Sequence, residues 1–94
     1  MVTVIEKHLE LMDANELAAM LRSEYLRKLT RYKKVDEKYR KKYGMTFEQF
    51  DSRNIVADHD YSWEVESDSQ EWGTAIDGIE TMLSKLKEIG IEAF

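Results

Sequence analysis

The chain has 94 residues, 43% of them hydrophobic and 35% charged, with four glycines, no proline and no cysteine. That length fits one small domain with a modest core of its own, so a partner subunit would matter to its stability. The composition favours long helices over a strand-and-turn fold, and the missing cysteine excludes disulfides, thiolate metal sites and thiol nucleophiles while fitting a cytoplasmic protein. The formal net charge of −5 hides an asymmetry. Residues 22–42 hold ten basic and three acidic residues, residues 44–94 three basic and twelve acidic, and residues 1–21 one basic and four acidic. A basic rod followed by an acidic half suits pairing within the chain, between copies, or with a charged partner.

In chain order, the N-terminal "MVTVIEKHLELMD" carries acids among its apolar residues and lacks the basic start of a signal peptide. Thr3 with Glu6 and Asp13 with Glu16 have capping-box spacing. Val4, Ile5, Leu9 and Met12 fit a helical stripe, although "VTVI" also suits a short strand. From Asp13 to Tyr43 nothing interrupts the helical pattern, and Leu17, Leu21, Tyr25, Leu29, Tyr32, Tyr39 and Tyr43 form one stripe with Val35 beside it. The pattern predicts helix over 4–43 with a break admitted near Asp13. Gly44 stands where a left-handed residue closes such a helix, with Lys41 and Lys42 suiting the negative end of its dipole. Thr46 and Gln49 then start a short helix over 47–53, with Met45 and Phe50 placed as a hydrophobic staple.

Residues 55–67 read as an acidic, extended or looping connector, because Tyr61, Trp63 and Val65 alternate with polar residues. Ser67 or Asp68, with Gln70 or Glu71, caps a last helix over 68–89. Its apolar positions Trp72, Ala75, Ile76, Ile79, Met82, Leu83, Leu86 and Ile89 give a face broader than one partner helix needs, and Gly90 ends it. The expected fold is therefore all-α, one domain over 1–94: an elongated helical hairpin with one long helix, a short helix after Gly44 and a C-terminal helix. At roughly 32 Å the last helix is too short to cover the long one, so Leu17, Leu21, Leu29, Tyr32 and Tyr39 are expected to bury partly against a second copy in a homodimer. No apolar run reaches the ~18 residues of a membrane span.

Little in the chain points to chemistry. Asp58, His59 and Asp60, with Glu64, Glu66 and Asp68, form the sole cluster of histidine and carboxylates. Its spacing does not match a calcium-binding loop, and nothing pairs it with a nucleophile, so a solvated acidic loop is expected, with no metal, no cofactor and no catalytic residue. Tyr25, Tyr32, Tyr39 and Tyr43 among the basic residues of the middle segment would suit weak RNA or DNA binding by a self-associating helical module, the alternative function; tyrosines on an apolar stripe are more often core. Tyr61, Trp63 and Val65, continued by Trp72 and Ile76, have the residue types that anchor protein interfaces.

These residues also carry a likeness. "KKYGMTFEQFDSR", an acidic connector and "SQEWGTAIDGIETMLSKLKEI" resemble small helical antitoxins of prokaryotic toxin–antitoxin pairs over about residues 30–90. Lys42, Tyr43, Gly44, Met45, Thr46, Glu48 and Phe50 match the turn of that family, and Glu71 and Trp72 the start of its last helix. The N-terminal 25 residues match neither a ribbon nor a helix-turn-helix. The resemblance implies a co-encoded protein toxin, often a ribonuclease, neutralised by direct contact, and no catalysis by this chain.

Overall fold

The computed structural model describes residues 13–92; the expectations for residues 1–12 lie outside the described residues. Within them the chain is all-α, with α1 over Ala14–Tyr43, α2 over Phe47–Ser52, α3 over Ile55–Asp58 and α4 over Trp63–Glu92. Helix α1 starts as its sequence dictates. The Asp13 side chain accepts the Glu16 N–H at 2.7 Å, and basic Arg40, Lys41 and Lys42 fill the last turn. Gly44 ends it at φ 65°, ψ 28°, and its N–H donates to the Arg40 carbonyl at 2.8 Å. Only glycine adopts this conformation without strain.

The restart is equally local. Thr46 caps α2 through a reciprocal box: its hydroxyl accepts the Gln49 N–H, and the Gln49 side chain accepts the Thr46 N–H. Met45 and Phe50, the expected staple, both enter the main apolar cluster. That cluster holds Tyr39, Phe50, Val65 and Trp72, with Val35, Tyr43, Phe47, Ile55, Val56 and Ile76 against it.

Helices α1 and α4 run antiparallel. Tyr39 packs on Trp72, Tyr32 on Gly78, and the Tyr25 ring lies under the Lys85 ammonium. The approach at Gly78 is the closest, since a Cβ there would stand 2.5 Å from the Tyr32 ring. The molecule measures 55 × 34 × 17 Å. At the closed end α1, α2 and α4 enclose Trp72, while the rest of the fold is a two-helix hairpin. Few residues are fully buried for that reason, and Leu17, Met20, Leu26 and Leu83 remain exposed near the open end of the hairpin.

Three expectations are corrected, one being that Gly90 ends the last helix, which instead runs through it to Glu92. The connector 55–67 is not extended: it contains α3 and a turn, and α4 begins at Trp63 rather than at residue 68. Ser62 is the true cap, its hydroxyl accepting the Val65 N–H at 3.3 Å and its carbonyl the Glu66 N–H at 3.0 Å, with Glu64 and Glu66 suiting the positive end of the helix. Helix α4 is therefore 30 residues long, the same as α1. Each spans about 45 Å, so the last helix is not shorter than α1, although Leu17 of the expected stripe stays exposed.

Candidate functional site

The two ends of α4's first turns divide the predicted contact residues into two groups. On an extended strip Tyr61, Trp63 and Val65 would share a face. On a helix, Trp63 and Val65 differ by about 200° and point to opposite sides. Val65 is buried in the core, whereas Trp63 is 81% exposed and Tyr61 63% exposed. Trp72, predicted to anchor a partner, is fully buried instead, and Ile76 is half-buried against the same cluster. Trp72 stacks on Tyr43 at 5.9 Å and meets Phe50, Phe47 and Tyr39 at 5.2, 5.4 and 5.7 Å. Its indole N–H donates to Asp36 at 2.9 Å, and Asp36 also pairs with Arg40 at 3.1 Å. So Trp72 is the centre of the fold and is not available to a partner. The same holds for two predicted self-association residues, Leu29 and Tyr39, which α4 and the aromatic cluster cover within one chain; Leu17 is exposed, and Leu21 and Tyr32 are half-buried.

The exposed pair sits in a built turn. After α3, the N–H groups of Asp60, Tyr61 and Ser62 donate to the carbonyls of Ala57, Val56 and His59 at 2.9–3.1 Å. Asp60 and Tyr61 both take φ 53°. Left-handed geometry is uncommon for a bulky residue such as tyrosine and costs about 1–3 kcal/mol. The turn is held at both ends by core residues, Ile55 and Val56 before it and Val65 after it. Its strained geometry thus presents Tyr61 and Trp63 to water with Asp58, Asp60 and Glu64 exposed around them.

A second constellation lies directly behind the turn. Buried Asp68 accepts from the Lys42 ammonium at 2.5 Å and the Tyr43 hydroxyl at 2.6 Å, and Lys42 also reaches Glu64 at 2.8 Å. The Tyr39 hydroxyl donates to Glu71 at 2.9 Å, with Lys38 beside both. Burial alone would push the Asp68 carboxyl up; the hydrogen bonds from Lys42 and Tyr43 outweigh it and hold the group below the usual carboxylate range. Burial and the hydrogen bond to Asp68 push Tyr43 up to about 12. Tyr39 rises further, through burial and its bond to Glu71, and Lys42 rises through its bonds to Asp68 and Glu64. Every one of these groups is held in its resting charge state, which is the behaviour of a structural belt and not of an acid–base pair poised near neutrality. The belt was not foreseen by residue. Its signal was the charge asymmetry, since Lys38 and Lys42 come from the basic rod and Glu64, Asp68 and Glu71 from the acidic half.

The histidine–carboxylate cluster does not converge. His59 Nδ1 lies 3.0 Å from the Ile55 carbonyl in its own short helix, and Asp68 is committed to Lys42. Among the described residues, no group of three or more histidines and carboxylates is placed to hold a metal ion, and no helix is long and apolar enough to cross a membrane. No protein-family profile, curated protein or solved structure matches the chain.

Proposed function

We propose that the chain is an antitoxin-like binding protein that neutralises a co-encoded toxin by direct contact and performs no catalysis. The observation that carries this reading is the turn between α3 and α4. It spends conformational strain to hold Trp63 and Tyr61 in water, where an apolar ring contributes nothing to the fold. Tryptophan and tyrosine are the residues that most often dominate binding energy at interfaces. The surrounding Asp58 and Asp60 give the turn a negative field, which speeds encounter with a cationic surface such as the RNA-binding face of a ribonuclease. In this reading Tyr61 and Trp63 make the contact, and Val65, Trp72 and Ile76 hold the turn in place from inside. A toxin that cuts RNA works in the cytoplasm, and the chain would meet it there.

The exposed Leu17, Met20, Leu26 and Leu83 favour self-association of the same protein through the open end of the hairpin, away from the toxin-binding turn. The test of the main reading is co-expression with the neighbouring gene product. Restored growth, together with capture of that product by the intact chain and its loss in Tyr61→Ala and Trp63→Ala, is the expected result. A harmless neighbour, or full rescue by a folded double variant, rejects it.

A further inference from the structure

Seven of the ten basic residues of α1 fall into two sets with different surroundings. Lys42 turns inward to Asp68 and Glu64, and Arg40 is engaged by Asp36, which also holds Trp72. Arg27, Arg31, Lys34, Lys38 and Lys41 form the other set. They recur every three or four residues and so share one face of the helix, and all five are exposed. From first to last they span about 21 Å along the axis. Helix α4 packs on the flank of α1 that carries Leu29, Tyr32 and Tyr39, and the stripe borders that flank through Arg31 and Lys38. The acids of α4 nearest to α1 are spent at the seam, Glu64 and Asp68 on Lys42 and Glu71 on Lys38. Of the stripe, Lys38 alone meets an acid of the acidic half among the described residues. Three acids border it: Glu24 paired to Arg27, Glu37 paired to Lys41 at 3.3 Å, and Glu71 of α4 at 3.9 Å from Lys38. Exposed pairs of this kind contribute little, so their cations exchange readily to other anions.

We infer that the outer face of α1 binds the phosphate backbone of duplex nucleic acid, without reading its sequence. The regular linear spacing fits a polymer of phosphates better than a compact anion. Readout of bases has no instrument here. Tyr39 and Tyr43 are committed to the Trp72 cluster, and Tyr32 lies on Gly78, so stacking of bases on these rings is closed off. The site is independent of the Tyr61–Trp63 turn, and its failure would leave that reading untouched.

The experiment is fluorescence anisotropy of the full chain against a short DNA duplex and an RNA duplex of the same sequence, between about 50 and 200 mM salt. Expected is micromolar binding, indifferent to sequence, with a log–log salt slope of about −4.5 for five phosphate contacts. The relative affinity of the two duplexes states which nucleic acid the face prefers. The variant Arg27→Gln, Arg31→Gln, Lys34→Gln, Lys38→Gln should bind at least about tenfold more weakly and flatten the slope by about 3.6. The pair Arg53→Gln, Lys87→Gln, off the stripe, should bind within about twofold of the parent. Circular dichroism checks folding, and if the fourfold variant loses helix, Arg31→Gln with Lys34→Gln replaces it, with a slope change of about 2. No binding at the lowest salt, an unchanged affinity in the stripe variant, or stripe-dependent binding to phosphatidylserine vesicles but not to either duplex overturns the inference.

Discussion

Replacing Trp72 by alanine is expected to remove much of the stability of this fold. The side chain is fully buried and its ring lies within 6 Å of four others, Tyr39, Tyr43, Phe47 and Phe50. It joins α1, α2 and α4 at one point, so the hole cannot close without moving a helix. Large-to-small changes of this kind cost about 3–5 kcal/mol. A domain of this size has about 5–14 kcal/mol in total, and a fold with so few fully buried residues belongs near the lower end. Trp72→Ala therefore leaves the chain marginal or unfolded. Trp72→Phe separates the terms: the ring remains, and the N–H donated to Asp36 at 2.9 Å is lost. Arg40 still pairs with Asp36, so the loss should be about 1–2 kcal/mol. Urea unfolding followed by far-UV circular dichroism measures both, and the slope of the transition should stay constant for Trp72→Phe. Because the chain has two tryptophans, Trp63→Phe leaves Trp72 as the sole indole reporter, with the blue-shifted emission of a buried ring. A Trp72→Ala chain with the parental midpoint would refute the assignment of Trp72 to the core.

Gly44→Ala should cost about 1 kcal/mol or more, because alanine is strained at φ 65°; an unchanged urea midpoint would argue that the stop is not needed. Stability should form a plateau between about pH 4 and pH 10. Below it, protonation of Asp68 removes a group whose folded pKa is lowered, so stability falls as the pH falls. Above it, the folded state retains the Tyr43 proton that the unfolded chain gives up near pH 10, so stability falls as the pH rises towards about 12. Tyr43→Phe should flatten the alkaline limb in urea midpoints measured against pH. Leu29→Glu, which buries a charge, should cost at least about 3 kcal/mol. Leu17→Glu should change stability by no more than about 0.5 kcal/mol, since its side chain meets water in the single chain; a lowered sedimenting mass is the outcome expected from the proposed self-association.

The long helix, its stop and its restart were legible because each has a local cause. Asp13, Gly44 and the Thr46–Gln49 box act within one turn of themselves, and they behave as their residue types require. The start of α4 was misread because two signals compete there. Ser67 or Asp68 with Gln70 or Glu71 offers an apparent capping box, whereas Ser62 caps with valine at the third helical position and has no reciprocal acid. Alternation in Tyr61, Trp63 and Val65 then imitated a strand. The helix wins because starting at Trp63 brings Val65 and Asp68 to the core side together, where Asp68 meets Lys42 and Tyr43. Burial of Trp72 was equally hidden: an interface anchor and a core tryptophan look the same until the partner surface is known, and here the partner is the chain's own α1 and α2.

The reading of the turn as a protein contact is tested most directly by titrating the neighbouring gene product into the parent chain and into Trp63→Ala by calorimetry. Trp63 lies outside the core, so the variant should keep the parental urea midpoint. The expected result is a loss of about 2 kcal/mol or more in binding, some thirtyfold in affinity, the range of an interface anchor. A folded Trp63→Ala chain that binds with the parental affinity would contradict it.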